Sequence, residues 1–368
     1  MKKSLSFVFV LIIMALVVSS CAPAAPAATK APAAAPAATE APAAAAPAAT
    51  EVPAAAAPAQ GEIVIATVVK SIAFNWFKRM ETGVLQFGKD KGVKTFMEGP
   101  AQVDSAAQVA MLEDLIAQGV QGIVNVPYGV PENEPAQKKA IDAGIFVVGH
   151  EAATAKAGTL NYDVEAFDNC SYGEEMLKEM AKRMNEEGQY IQFVGSLTNA
   201  SHVEWMDCAK AYAEKNFPKL EFVARYESKE DTEVAYNTMK DVLKTHPDVK
   251  GVLGAAAGDV VGAGRAIEEA KLSDKTAVVG TSIPSYASEL LKTGAVDLAM
   301  CWDPATAGYA GNQVILMLIN KQEIKDGMDL GVPGYEKIKL VTGVNGVPVI
   351  YGSAWIKIDA TNMGDYPF

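Results

Sequence analysis

From Gly61 to Phe368 the chain alternates between two hydrophobic periods, and this alternation narrows its fold more than any other feature. Short apolar runs rich in branched residues read as buried parallel strands: Ile63–Val69, Gly122–Val126, Phe146–Val148, Ile191–Val194, Val249–Leu253 and Ala277–Val279. Between them lie stretches with helical spacing. Trp76, Phe77, Met80, Val84 and Phe87 mark one, and Ala107, Met111, Leu112, Leu115 and Ile116 another. Met176–Met180–Met184, Val234–Met239–Val242 and Val260–Ala266–Ile267 continue the series. Lys91-Gly92, Gln118-Gly119 and Ala143-Gly144 supply the turn chemistry that ends helices. Strand, helix, strand, repeated, predicts an α/β chain with doubly wound parallel sheets. Two such units in succession predict two similar lobes, with a ligand lying where strand C-termini from both lobes meet.

What precedes this body has a different character. Lys2 and Lys3 lead into an unbroken apolar run from Phe7 to Val18, followed by Ser19, Ser20 and Cys21. A basic start, a short apolar segment and small residues before a cut describe a secretory leader over residues 1–20. The run is too short for a stable spanning helix, which needs about 20 residues. Val-Ser-Ser-Cys resembles the lipobox of bacterial lipoproteins, which implies a lipidated Cys21 and an extracytoplasmic chain anchored to the cell membrane by acyl chains. Residues 21–60 are then almost entirely Ala and Pro, with the near-repeats ATKAPAA, ATEAPAA and ATEVPAA. Nothing larger than Val is available for a core, and proline every few residues breaks helix and ladder alike, so a tether is expected. In extended form it reaches on the order of 100 Å, at about 3.1 Å per residue.

The net charge of −12 argues against nucleic acid, which needs a basic footprint. Cys170, Cys208 and Cys301 are the only cysteines of the body, and none has a CxxC partner. An exported setting permits a disulfide, for which Cys170 and Cys208 are the favoured pair, with at least one thiol left over. No GxSxG elbow, Walker loop or HExxH occurs; GAAAGDVVGAG is glycine-rich but lacks GxGxxG spacing. With His150, His202 and His246 the only histidines, neither a metal cluster nor a cofactor is expected, and a binding role is favoured over an enzymatic one.

Several ordered segments carry a family resemblance across nearly all of residues 61–368. They are VKSIAFNWF (69–77), AAQVAMLEDLIAQGVQGIVNVP (106–127), AIDAGIFVVGHE (140–151), HPDVKGVLGAAAGDVVGAGRAIEEA (246–270) and VVGTSIPSYASELLKTGAVDLAM (278–300). Together they resemble the type I periplasmic solute-binding proteins of sugar ABC importers. Lys70, the Gly-Thr-Ser-Ile-Pro run at 280–284, Trp302-Asp303 and the closing Asn-Met-Gly-Asp-Tyr-Pro-Phe are similar to the branch containing autoinducer-2-binding and rhamnose-binding proteins. The resemblance implies two lobes joined by a hinge: residues 61–160 with 303–345, and residues 161–302 with 346–368. It implies hinge closure over a small sugar, sugar alcohol or related polyol, and delivery of that solute by a monomeric receptor to a membrane permease.

Carried over position by position, the family's cleft residues fall on Lys70, Asn75, Trp76, Phe77 and Glu151 in the first lobe. In the second they fall on Ser201, His202, Ala255, Ala257, Ser282 and Asp303. Lys70 and Ala257 agree with the autoinducer-2 pattern, whereas Ser201-His202 replaces its Asp-Gln pair, Ala255 its Pro and Glu151 its Asp. The pentose and hexose pattern departs as well, with Ala256-Ala257 for Asn-Asp and Ser282 for a later Asp. These residue types suit a polyol: aromatics stack on C–H faces, and charged groups make short bonds to hydroxyls. Glu151, Asp303 and Asn75 are the expected acceptors, and Lys70 and His202 the expected donors. Trp76 and Phe77 serve equally well as core anchors of the first helix, and His202 as an ordinary residue at a helix start. An autoinducer-2-type signal binder, or a sensory receptor presenting its ligand, fits the same residues.

Overall fold

The computed structural model describes residues 61–368; the leader, Cys21 and the Ala/Pro stretch lie outside the described residues. Two sheets organise the body. The first sheet contains β1 (Val64–Val68), β2 (Lys94–Glu98), β3 (Gly122–Asn125), β4 (Phe146–Gly149), β5 (Tyr162–Glu165), β11 (Lys339–Thr342) and β12 (Pro348–Tyr351). Its spatial order is β11-β12-β5-β4-β3-β1-β2, parallel throughout except for the β11–β12 pair. The second contains β6 (Gly188–Val194), β7 (Leu220–Glu227), β8 (Val249–Gly254), β9 (Ala277–Thr281), β10 (Leu298–Cys301) and β13 (Ile356–Ile358). Its order is β13-β10-β9-β8-β6-β7, with β13 antiparallel at one edge. In each sheet the first strand in sequence, β1 or β6, has its successors on opposite sides. That topological switch opens a crevice at the strand C-terminal ends.

Helices cover both sheets: α1 (Asn75–Lys91), α2 (Ser105–Gln118), α3 (Val130–Asp142), α4 (Asn169–Arg183), α5 (Ala200–Asn216), α6 (Thr232–Thr245), α7 (Asp259–Glu269), α8 (Pro284–Thr293) and α9 (Pro304–Ile319). Local chemistry sets their ends. The Asp104 carboxylate accepts from the N–H groups of Ala106 and Ala107 to start α2, and Gly92 and Gly119 close α1 and α2 in left-handed conformation. The apolar stripe expected along α1 is buried from Trp76 to Phe87. Its packing against α9 requires a bare backbone, because a Cβ on Gly83 would stand 1.8 Å from the Ala305 carbonyl oxygen. This contact seats the middle of α1 against the first turn of α9. No helix among the described residues is long and apolar enough to cross a membrane.

Sheet membership moves two of the expected lobe limits. Boundaries at 160 and 345 fall just before β5 and β12, yet both strands pair in the first sheet. The chain therefore passes between sheets after Glu165, between Cys301 and Pro304, and after Tyr351. Each passage carries an aromatic ring, and the three rings meet. Phe167 lies 5.2 Å from Trp302 and 5.8 Å from Trp355, centroid to centroid, and stacks on Tyr172 at 4.0 Å. Such rings have few rotamers to lose and bury a large area, so they hold the crossings in register. Beside them, Cys170 of α4 and Cys208 of α5 form a disulfide, with Cys301 free and buried.

Candidate functional site

Strand ends from both sheets converge on a cavity of about 290 Å³. Lys70 follows β1 and Glu151 follows β4; His202 stands in the first turn of α5, Ala255 and Ala257 follow β8, and Trp302 follows β10. The volume sits at the small end of the range of about 300–1,000 Å³ usual for small-molecule sites, which favours a single small ring over an oligomer.

The polar centre is a buried triad. Lys70, 2 % exposed, donates from Nζ to Glu151 Oε2 at 2.6 Å and to Glu230 Oε1 at 3.1 Å. Lys70 and Glu151 belong to the first lobe, and Glu230 stands between β7 and α6 of the second. Burial pulls the lysine pKa down, but the two carboxylates override it and the net shift is upward. Burial pushes the Glu151 carboxyl up, and the ammonium beside it overrides that and holds it down at about 2. Glu230 is raised, chiefly by burial, with Lys70 opposing. Both carboxylates sit on left-handed backbone, Glu151 at φ 60° and Glu230 at φ 56°. A residue with a side chain pays on the order of 1–3 kcal/mol for such a conformation, so surrounding structure holds both in place.

The other polar groups have fixed roles. The Gly195 N–H donates to His202 Nδ1 at 3.1 Å, while burial and then Lys70 push the imidazole down to about 3. The ring is therefore neutral with its proton on Nε2, which makes it a hydrogen-bond donor. Trp302 lines the cavity with its indole N–H buried and without a partner among the described residues. A buried donor of this kind costs about 1–3 kcal/mol unless an acceptor meets it. Trp76 stands edge-on to Trp302 at 4.7 Å, and Phe74 and Phe77 complete an aromatic wall.

Of the expected site residues, Lys70, Trp76, Phe77, Glu151, His202, Ala255 and Ala257 line this cavity. The other four do not, and each has a local reason. Asp303 caps α9 at the Ala305 N–H and takes a bidentate ion pair from Arg79 at 2.9 and 2.6 Å. Ser201 donates to Glu165 Oε1 at 3.2 Å, and Ser282 to the Ala257 carbonyl at 2.8 Å. Asn75 donates its backbone N–H to the Tyr286 hydroxyl at 2.6 Å, a contact between lobes, and its side-chain oxygen meets Lys78. Sequence reasoning missed Glu230, Trp302, Phe74, Thr281 and Tyr286 as lining residues. For Trp302 a signal existed, an aromatic directly after a buried strand; for Glu230, in the polar turn Ser228-Lys229-Glu230-Asp231, there was none.

A family model described as periplasmic binding protein domain matches residues 65–323. The D-ribose/D-allose-binding protein of Pseudomonas aeruginosa is 26% identical over 278 residues, 72% of this chain and 85% of that one. The D-allose-binding periplasmic protein of Escherichia coli is 24% identical, covering 68% of this chain and 83% of that protein. Among solved structures, LsrB from Clostridium saccharobutylicum in complex with AI-2 superposes with a TM-score of 0.76 at 18% identity, covering 83% of this chain and 100% of that one. A solute-binding protein from Clostridium phytofermentas with bound L-rhamnose gives the same TM-score at 17% identity, over 83% of this chain and 98% of its own. With seven-tenths of its length inside the family match, and with two doubly wound lobes closing on one cavity, the chain belongs to the periplasmic binding protein domain family.

Proposed function

We propose that this chain is a lipid-anchored extracytoplasmic receptor that captures a small sugar, sugar alcohol or related polyol and presents it to an ABC permease. The observation that carries this reading is the cavity itself. Trp76 and Phe77 offer rings to C–H faces, while Glu151, Lys70, His202 and Trp302 offer one acceptor and three donors to hydroxyls. Lys70 from one lobe and Glu230 from the other stand 3.1 Å apart, so a ligand held there touches both lobes and stabilises their closed arrangement. The closed receptor, acting as a monomer, is the form a permease distinguishes from the open one. Relatives of this chain that carry ribose, allose or rhamnose in their names support the solute class. Cys21 after the leader and the Ala/Pro tether support the anchor.

A second reading, an autoinducer-2-type signal binder, is favoured by Lys70 and Ala257, which match that pattern and both line the cavity. One experiment addresses both readings: calorimetric titration of the full chain in detergent with D-ribose, D-allose, L-rhamnose, sugar alcohols, autoinducer-2 and amino acids. Binding of a sugar or sugar alcohol is the expected result. Binding of amino acids alone overturns the polyol reading, and preference for autoinducer-2 selects the second. With the ligand in hand, Glu151→Ala is expected to weaken binding about tenfold or more, because a hydroxyl loses a charged partner in a buried site. Unchanged affinity removes Glu151 from the site.

A further inference from the structure

We propose that the cavity admits polyols without negative charge and turns away their acid and phosphate counterparts, with Glu230 as the residue that enforces the selection. The inference rests on the polyol reading above and adds to it a rule about ligand charge.

An anion in a buried site needs an available cation or a set of free backbone N–H groups. The cation is already engaged here, and so are two N–H groups of the helix start beside the cavity. Among the described residues Lys70 is the one cation lining the cavity, and its ammonium lies 2.6 Å from Glu151 and 3.1 Å from Glu230. The second device would be the start of α7, where the chain leaves β8 beside the cavity. There the N–H groups of Ala255 and Ala256 both donate to Asp259 Oδ2, at 3.1 and 2.8 Å. The helix start has its own carboxyl seated on it. Asp231 and Glu233 line the second-lobe wall and offer no cation: Asp231 accepts from the Glu233 and Val234 N–H groups at the start of α6, and Glu233 is paired with Arg265. A carboxylate or phosphate entering this space meets a negative field and gains a cation only by drawing Lys70 from a carboxylate that is then left buried and unpaired. A hydroxyl avoids that conflict. It donates to Glu151 or Glu230 and accepts from the remaining Lys70 proton, from His202 Nε2–H or from Trp302 Nε1–H.

Glu230 is the selective member of the triad. Glu151 alone would leave the pair neutral; Glu230 arrives from the second lobe and makes the triad's net charge negative.

The test compares dissociation constants on the full chain for D-ribose, D-allose or L-rhamnose, whichever binds best, with those for its aldonic acid and its phosphate ester. The wild type should bind both anions at least about 100-fold more weakly than the neutral probe. Glu230→Gln keeps the shape and removes the charge, and should narrow that ratio about tenfold. As a second measurement, the wild-type ratio should change less than about threefold between 0.05 and 0.5 M NaCl, because a buried field is poorly screened whereas repulsion by the protein's overall charge is not. Acid or phosphate binding within tenfold of the neutral probe overturns the inference, as does an unchanged ratio in the variant or a ratio that collapses in salt. Each of these outcomes leaves the polyol reading standing. A chain that binds none of the neutral probes overturns that reading and this inference with it.

Discussion

Replacing Lys70 by methionine is expected to destabilise the body by about 3–5 kcal/mol and to weaken ligand binding more than about a hundredfold. The wild-type ammonium lies between two carboxylates within a site where Lys70 is 2 % exposed. Methionine fills the volume and removes the charge, so Glu151 and Glu230 face each other across the cleft with no cation between them. Their mutual repulsion acts directly against lobe contact, which is why binding should suffer with stability. The sign with pH separates this cause from simple mispacking. In the wild type Glu151 is held down at about 2, so its stabilising contribution is present above the unfolded carboxyl range and is lost only as pH falls toward 2. In the variant both carboxyls move up, the folded state binds more protons than the unfolded, and stability rises as pH drops from 8 to 5. Thermal unfolding across that range should show the gap between wild type and Lys70→Met closing on acidification. Adding Glu151→Gln and Glu230→Gln to Lys70→Met should recover most of the stability at pH 8 without restoring binding. A gap that stays constant with pH would mean that packing, rather than charge, is what the lysine supplies.

How far the sequence reveals this architecture depends on how each element is buried. β1, β3, β4, β6, β8 and β9 were legible because interior parallel strands are wet on neither face, so branched apolar residues run on without interruption. The edge strands β2 and β7 are half-buried and carry charges, as in Lys94-Thr-Phe-Met-Glu98, and read as surface. Of α3 only the end at Ala143-Gly144 was legible, because Pro135 interrupts its interior, and α9 was hidden by a nearly unbroken apolar composition, which has no polar face to give it a period. At the site, residues within four positions of the end of a predicted strand were placed well: Lys70, Glu151, Ala255 and Ala257 all line the cavity. The four that were displaced are polar groups already satisfied by the protein, and no local pattern tells a capping carboxylate such as Asp303 from one that waits for a ligand. Glu230 depends on β7 delivering a left-handed turn opposite Lys70, a tertiary fact with no imprint on its neighbours.

The buried carboxyl pair on β5 gives the second large effect: Asp163→Asn is expected to stabilise the protein at pH 8 by about 2–4 kcal/mol and to change little near pH 4. Asp163 and Glu165 project from the same face of the last strand before the first crossing between lobes, and both are buried. Burial raises the pKa of each, Asp163 up to about 7, and Glu165 further because Asp163 stands beside it. For Asp163, hydrogen bonds from Glu165 and the Ala152 N–H oppose the rise and Glu151 and Glu204 add to it; for Glu165, His150 opposes the rise and Glu151 adds to it. A raised acid makes the folded state bind more protons than the unfolded one, so stability falls as pH climbs from the unfolded carboxyl range through 7. Three pH units at about 1.4 kcal/mol each set the upper limit for Asp163. Asparagine mimics the protonated form. Its oxygen keeps the 3.1 Å bond from the Ala152 N–H, and Glu165 keeps the bonds it accepts from Ser201 and Asn169 of the second lobe at 3.2 and 3.3 Å. Those two donors tie the strand to the starts of α4 and α5, so the charge on this pair bears on the crossing itself. Thermal unfolding of wild type and Asp163→Asn at pH 4, 6 and 8 should therefore diverge as pH rises, with the variant the more stable. Parallel curves would show that the wild-type pair is ionised at no greater cost than its amide counterpart, and that the protein solvates this strand better than its burial implies.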